Sequence, residues 1–300
     1  MTAISLPRLK ADSLASRALN GILKSPKATI AGICCILFVV IAVIGPWIAP
    51  QNPYDLMQIS IMDAKLSPGS QSMAGATYWL GTDGQGRDML SAMIYGLRTS
   101  LAVGLVSGVV ALGIGTSLGL IAAYYGGRVD TLIMRLVDLM LGFPTILVAL
   151  MMLALIGQGL GKVMAALVLV QWALFARAVR GAALVEKSKE YVEAATCLGL
   201  SKGRILFGHL LPNCLPPLLV IATLQVANAI SAEATLSFLG IGLPITEPSL
   251  GLLISNGYEV LMSGQYWISV YPGLLLVALV FSINIVGDRL REVLNPRLQQ

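Results

Sequence analysis

Few side chains in this sequence could make or break bonds, and none stands in a pattern that such chemistry uses. His209 is the one histidine and has no second His or Cys at ligand spacing, so a metal role is not expected. Gly115-Thr116-Ser117-Leu118-Gly119 satisfies the G-x-S-x-G pattern of a hydrolase nucleophile. That serine would need a strand-to-helix turn, whereas this one lies in the middle of an uncharged run. Gly157-Gln158-Gly159-Leu160-Gly161-Lys162 is one residue short of a phosphate-cradling loop and lacks the Ser or Thr that should follow the lysine. The spacing offers recognition instead. Tyr191, Ala194, Ala195 and Leu198 fall at i, i+3, i+4 and i+7, one narrow apolar face on a short helix. Gly199 stands where a C-terminal glycine cap belongs, and Ser201 can cap a second short helix. A helix this short is marginal alone in water. Its face is dominated by small residues, where helices that lie on a bilayer use Leu, Phe and Trp, so a groove on a partner protein is the expected seat. Glu233 is the one acid deep in a long apolar stretch. An ionised carboxylate at mid-membrane costs about 2.5–3.5 kcal/mol, which places Glu233 near the outer interface or facing a polar cavity, as a path or gate residue or as a structural group.

The elements that must position these residues are apolar runs. Of 300 residues 56% are hydrophobic and 12% charged, with a mean hydropathy of +0.81, whereas a soluble domain carries about a quarter charged residues. This excludes a cytoplasmic globular enzyme and a disordered chain. A hydrocarbon core of about 30 Å needs around 20 apolar residues as helix. Six runs qualify: Ala28 to Ala49, Thr99 to Gly127, Leu139 to Gly161, a fourth from near Gly159 to Arg177 or Arg180, Leu210 to Ala232, and Val260 to Gly287. The third is expected to be entered through Leu132 to Val137. The first run is too long for a signal-peptide core and ends in Gly45-Pro46-Trp47 without a small-x-small site, so it is expected to stay as an anchor. Gly104, Gly108, Gly115 and Gly119 form two small-xxx-small steps that let helix backbones approach, more readily inside one chain than between chains.

Charge orients the spans. With the N-terminus inside, the inner pieces hold Arg8, Lys10, Arg17, Lys24, Lys27, Arg128, Arg135, Arg177, Arg180, Lys187, Lys189, Lys202, Arg204, Arg289, Arg291 and Arg297. The outer pieces hold Lys65, Arg87, Arg98 and Lys162. Sixteen against four predicts both termini in the cytoplasm. Scattered this way between apolar runs, the net charge of +5 does not point to nucleic acid. The chain therefore divides into an inner N-terminal segment 1–27, a first helix with an outer loop over 28–98, a core of five helices over 99–290 that contains an inner loop 177–212, and a C-terminal tail 291–300. The outer loop carries Asp55, Asp63, Asp83 and Asp88 among Pro, Gly and Ser. No cysteine falls outside, so no disulfide is expected. Arg135 and Asp138, three apart, are expected to pair on one helix.

The inner loop resembles a known family. Glu193-Ala194-Ala195, Gly199 six residues after the glutamate, and His209-Leu210-Leu211-Pro212 are similar to the EAA loop of ABC-importer permeases. Trp79-Leu80-Gly81-Thr82-Asp83 with Gly86-Arg87-Asp88, Tyr125-Gly126-Gly127, Met134-Arg135 with Val137-Asp138, Glu233-Ala234 with Leu236-Ser237-Phe238-Leu239-Gly240, and Gly287-Asp288 with Leu290-Arg291 resemble the second permease of dipeptide and oligopeptide importers. The likeness runs from about residue 20 to 297. Pro248-Ser249-Leu250-Gly251 departs from it, since the family usually has Trp before that glycine. The resemblance implies an all-α, six-span permease with the type I ABC importer fold, in the plasma (inner) membrane of a bacterium. It implies a homologous permease partner, two ATP-binding subunits, an external solute-binding protein, and alternating access. Coupling would fall to Tyr191, Glu193, Ala194, Ala195, Leu198 and Gly199. ATP and Mg would sit on the partner subunits, with no cofactor on this chain. Which solute is carried stays open among dipeptides, oligopeptides, glutathione, opines and nickel chelates. An ion-driven secondary transporter is the rival reading. It would need intramembrane charges and broken helices at a midplane site, for which Glu233 alone is thin provision.

Overall fold

The structure, a computed structural model, describes residues 14–55, 57–72 and 75–294. Ten α-helices follow in order among these residues. They are α1 (Leu14–Leu23), α2 (Pro26–Ile48), α3 (Met89–Tyr125), α4 (Gly127–Gly142), α5 (Thr145–Ile156), α6 (Leu160–Lys187), α7 (Glu190–Cys197), α8 (Leu211–Phe238), α9 (Leu250–Tyr258) and α10 (Trp267–Leu294). Five spans are long and apolar enough to cross a membrane, and α4 with α5 can make a sixth. Arg8, Lys10 and Arg297, counted in the charge partition, lie outside the described residues, as do 1–13 of segment 1–27 and 295–300 of tail 291–300.

The third span departs from expectation. It is not one helix over Leu139 to Gly161 but two, bent by 90° at Phe143–Pro144. Proline has no N–H to donate, and its ring pushes the preceding residue out of the helical region; Phe143 takes φ −102°, ψ 146°. The expected Arg135–Asp138 pair does not form either. Asp138 bonds Arg177 of α6 instead, and Asp130 accepts two bonds from Arg180, so α4 is tied across to α6. The second span starts ten residues before the expected Thr99, because Asp88 caps it by accepting from the Ser91 N–H at 2.8 Å. The sixth starts at Trp267 rather than Val260, since α9 and a short turn take up the intervening chain.

Helix α3, at 37 residues about 55 Å long, is the central post. A Cβ at Gly115 would collide with the Trp172 carbonyl and Phe175, and one at Gly119 with the Ala176 carbonyl and Val179, all on α6. A Cβ at Gly104 would lie 2.6 Å from Ile230 of α8. The small-residue steps thus pack within the chain. Away from this core the apolar residues turn outward. Ile30, Ile33 and Ile36 on α2, and Leu274, Val277 and Phe281 on α10, are all more than half exposed. An apolar surface this broad exceeds what water tolerates on a monomer and is covered by lipid or by neighbouring subunits.

Between α2 and α3 the described residues fold into a cap. A small hairpin pairs β1 (Ser70–Gln71) with β2 (Thr77–Tyr78), Gln71 opposite Thr77. Beneath it lies a buried ion pair, Arg87 Nε to Asp83 Oδ2 at 2.6 Å, with both side chains 1% exposed. Asp83 also accepts from the backbone N–H groups of Gln85 and Arg87. Arg87 Nη1 donates to the Ile245 carbonyl, and the Trp267 indole donates to the Thr82 carbonyl. Gln51 accepts from the Asp88 N–H at 2.6 Å. The cap is thereby bolted to the segments before α9 and at the start of α10.

Candidate coupling site

Helix α7 hangs below the long helices between the end of α6 and the start of α8. Glu190 and Glu193 lie in its first turn, where the helix dipole favours acids. Its end is a complete glycine cap. Gly199 has φ +71°, the Leu200 N–H reaches the Ala195 carbonyl at 3.2 Å, and the Gly199 N–H reaches Thr196 at 3.0 Å. The chain then forms a π-helix, Arg204–Leu210, closed by the Leu211 N–H on the Leu206 carbonyl. Pro212 follows directly. It cannot donate to the Gly208 carbonyl, and its ring crowds that group in an α-turn, so the preceding turns are wide. The expected fifth span thus has its start in a π-segment rather than at Leu210.

The four residues expected to share one outward face are divided. Val192 and Ala195 are each 4% exposed and pack with Leu120 and Ala123 of α3, Val179 and Ala183 of α6, and Ile205 and Leu210 of the π-segment. Ala195 therefore faces the chain's own core. Tyr191, Glu193, Ala194 and Leu198 face outward, and Leu198 is 80% exposed. The missed residue is Val192: the i+1 and i+4 pair with Ala195 is the buried stripe, and the sequence holds that signal only once the helix has something to pack on.

Polar contacts hold α7 at its first turn. The Tyr191 hydroxyl donates to Glu186 Oε2 of α6 at 2.8 Å and accepts from Asn213 Nδ2 of α8 at 3.1 Å. Lys189 Nζ binds the other Glu186 oxygen at 2.6 Å. Partial burial, together with the hydrogen bond to Glu186, pushes the Tyr191 phenol up to about 12, so it is a neutral donor. Just above, Lys187 Nζ caps the end of α3 through the Ala123 and Tyr124 carbonyls at 3.0 and 2.7 Å.

At the opposite end Glu233 is fully buried. Ser100 of α3 donates to its Oε2 at 2.9 Å, and Ser237 of α8 donates to Oε1 at 2.8 Å. Beside it Gly251 of α9 presses on the Ala234 backbone so closely that a Cβ would collide with the Ala234 Cα and carbonyl. A groove of about 490 Å³ runs between α8, α9 and α10, its wall including Ser231, Thr235, Phe281 and Asn284. Glu233 stands behind that wall, enclosed.

Helix α7 thus keeps one stripe against the chain's own core and leaves the other exposed. Residues 115–300 match the family described as binding-protein-dependent transport system inner membrane component, and residues 13–68 match the N-terminal TM domain of oligopeptide transport permease C. The chain belongs to this permease family. It is 37% identical over 278 residues to the dipeptide transport system permease protein DppC of Haemophilus influenzae, covering 92% of this chain and 93% of that one. It is 36% identical over 279 residues to the Bacillus subtilis protein of the same name, covering 93% and 84%. A putative peptide transport system permease protein of Brucella suis is 40% identical over 269 residues, covering 89% and 87%. Among solved structures, an inward-facing MetNI methionine ABC transporter matches with TM-score 0.56 at 24% identity, over 68% of this chain and 97% of that chain. The permease has the type I importer fold expected from its sequence, and it is a multi-pass transmembrane subunit of an ABC importer.

Proposed function

We propose that this permease moves small peptides inward by alternating access, paired with a homologous permease and driven by two ATP-binding subunits. Both termini and the α6–α8 connection face the cytoplasm of a bacterial cell, by the excess of Lys and Arg on that side. Tyr191, Glu193, Ala194 and Leu198 seat in a groove of an ATP-binding subunit, with Ala195 bracing the helix from behind and Gly199 turning the chain away. The observation that carries this is the division of α7 into a core-keyed stripe and a bare one ending in Leu198. ATP and Mg are held by the partner subunits, and this chain binds no cofactor. An external solute-binding protein delivers the substrate to the side of the 50–88 cap. The peptide class rests on the near full-length likeness to relatives named for dipeptide transport. Glu233 serves the outer gate by fixing α3 against α8 through Ser100 rather than by touching solute. The test is uptake of labelled di- and tripeptides into proteoliposomes. The assembled complex should require ATP and the binding protein, and accumulation by the lone chain in a proton or sodium gradient would overturn the reading. Impermeant thiol labelling in a cysteine-free background should reach Ser67→Cys and not Ser188→Cys in intact cells.

A further inference from the structure

The first turn of α7 carries more than the apolar contacts require. One hydroxyl, Tyr191 Oη, is shared between a carboxylate at the end of α6 and an amide in the first turn of α8, at 2.8 and 3.1 Å. Those two residues, Glu186 and Asn213, are separated by the whole connection that contains α7 and the π-segment. The amide has a second partner, since Asn213 Nδ2 also donates to the His209 carbonyl at 2.8 Å, within the π-segment itself. Glu186 is fixed in turn by Lys189 at 2.6 Å. The apolar stripe of Val192 and Ala195 can slide over its neighbours, because dispersion contacts have no direction. Hydrogen bonds to a charged acceptor are directional and stronger.

We infer that Tyr191, Glu186 and Asn213 form a bolt that makes α7 move α6 and α8 together, so that a push on the short helix reaches two spans as one rigid displacement. This rests on the reading of α7 as the coupling helix. Tyr191 Oη is the shared node. Without it the α7 backbone can shift while α6 and α8 lag, and the π-segment between α7 and α8 takes up the motion. π-turns occur where helices adjust, and the Asn213 bond to His209 is what stops this one from doing so independently. These are positioning residues: none of them touches the solute.

The experiment uses the full importer in proteoliposomes and reads peptide uptake per ATP hydrolysed, with co-purification of the ATP-binding subunits as the check on docking. Asn213→Leu, which removes the amide but leaves the outer face of α7 intact, should keep normal co-purification and lower uptake per ATP by up to about tenfold, the upper end for losing an ordinary hydrogen bond. Tyr191→Phe should give a loss of similar size. The double variant should be no worse than either single one, since both break the same bolt. Asn213→Gln, able to offer an amide donor from a longer arm, should restore part of the ratio. Multiplying losses in the double variant, or a normal ratio in Asn213→Leu, would overturn the inference. Ala194→Trp separates the two levels. If it abolishes uptake while Asn213→Leu is silent, the coupling helix stands and the bolt falls; if both are silent, the coupling reading falls and the bolt with it.

Discussion

The cap between α2 and α3 and the connection between α6 and α8 are both long polar segments between apolar helices, yet they treat their charges in opposite ways. The cap buries its ion pair, with Asp83 and Arg87 each 1% exposed. The α6–α8 connection leaves its pair open to water, with Lys189 52% and Glu186 14% exposed. A buried pair is costly to break, because the remaining partner is left as an uncompensated charge, whereas an exposed pair contributes little. The cap is thus part of the rigid body. The α6–α8 connection is held by one buried stripe and a few directional bonds, which leaves it both movable and accessible.

The strongest way to break this contrast is to remove the cap's cation. Arg87→Ala leaves the Asp83 carboxylate enclosed and should destabilise the permease by about 3–5 kcal/mol, seen as lost membrane abundance or early thermal unfolding in detergent. A stability near that of the parent protein would mean that the cap is not integral to the body. Changes in the α6–α8 connection should act on function before stability. Gly199→Val puts a β-branched residue at φ +71°, which strains the backbone by about 1–2 kcal/mol and misdirects the π-segment. Ala194→Trp overfills the outer face. Both should leave membrane abundance near normal while uptake is lost and co-purification of the ATP-binding subunits weakens.

A smaller effect is expected at the tip. Leu198→Ser removes a side chain that is 80% exposed, so stability should shift by no more than about 0.5 kcal/mol, while co-purification falls several-fold. Unchanged co-purification would take Leu198 out of the docking face. The smallest effect concerns pH. The Tyr191 phenol is raised to about 12 from its ordinary value of 10. The contribution of its neutral form is therefore complete below about 10 and is lost only as pH rises through about 12. The pH dependence of uptake per ATP across roughly pH 6 to 9 should owe nothing to titration of this group. A profile in that range that Tyr191→Phe abolishes would contradict the assignment.

Much of the fold is legible from hydropathy and charge, because a bilayer imposes length and apolarity on each span separately. The long helices α2, α3, α6, α8 and α10 fall within or close to their uncharged runs, and Gly199 was readable as a cap from its place alone. The third span misled because Pro144 sits inside an unbroken apolar stretch, where composition continues through a bend that backbone geometry forbids. Asp138 misled because local spacing offered Arg135, while the better-placed partner, Arg177, is 39 residues away. At the coupling site, periodicity located the helix and its apolar character, but it placed Ala195 on the outward face and overlooked Val192.

The amino-acid order by itself determined what each segment can do alone: cross a membrane, cap a helix, turn at glycine, and favour one side through its lysines and arginines. These depend on a residue and its near neighbours. Tertiary structure alone decided which stripe of α7 turns inward, that Asp83 and Arg87 are sealed from water, and that Glu233 is enclosed by Ser100 and Ser237 instead of facing a groove. Burial is a relation between elements far apart in the chain. Ser100 and Glu233 are 133 residues apart, and no local pattern records that they meet.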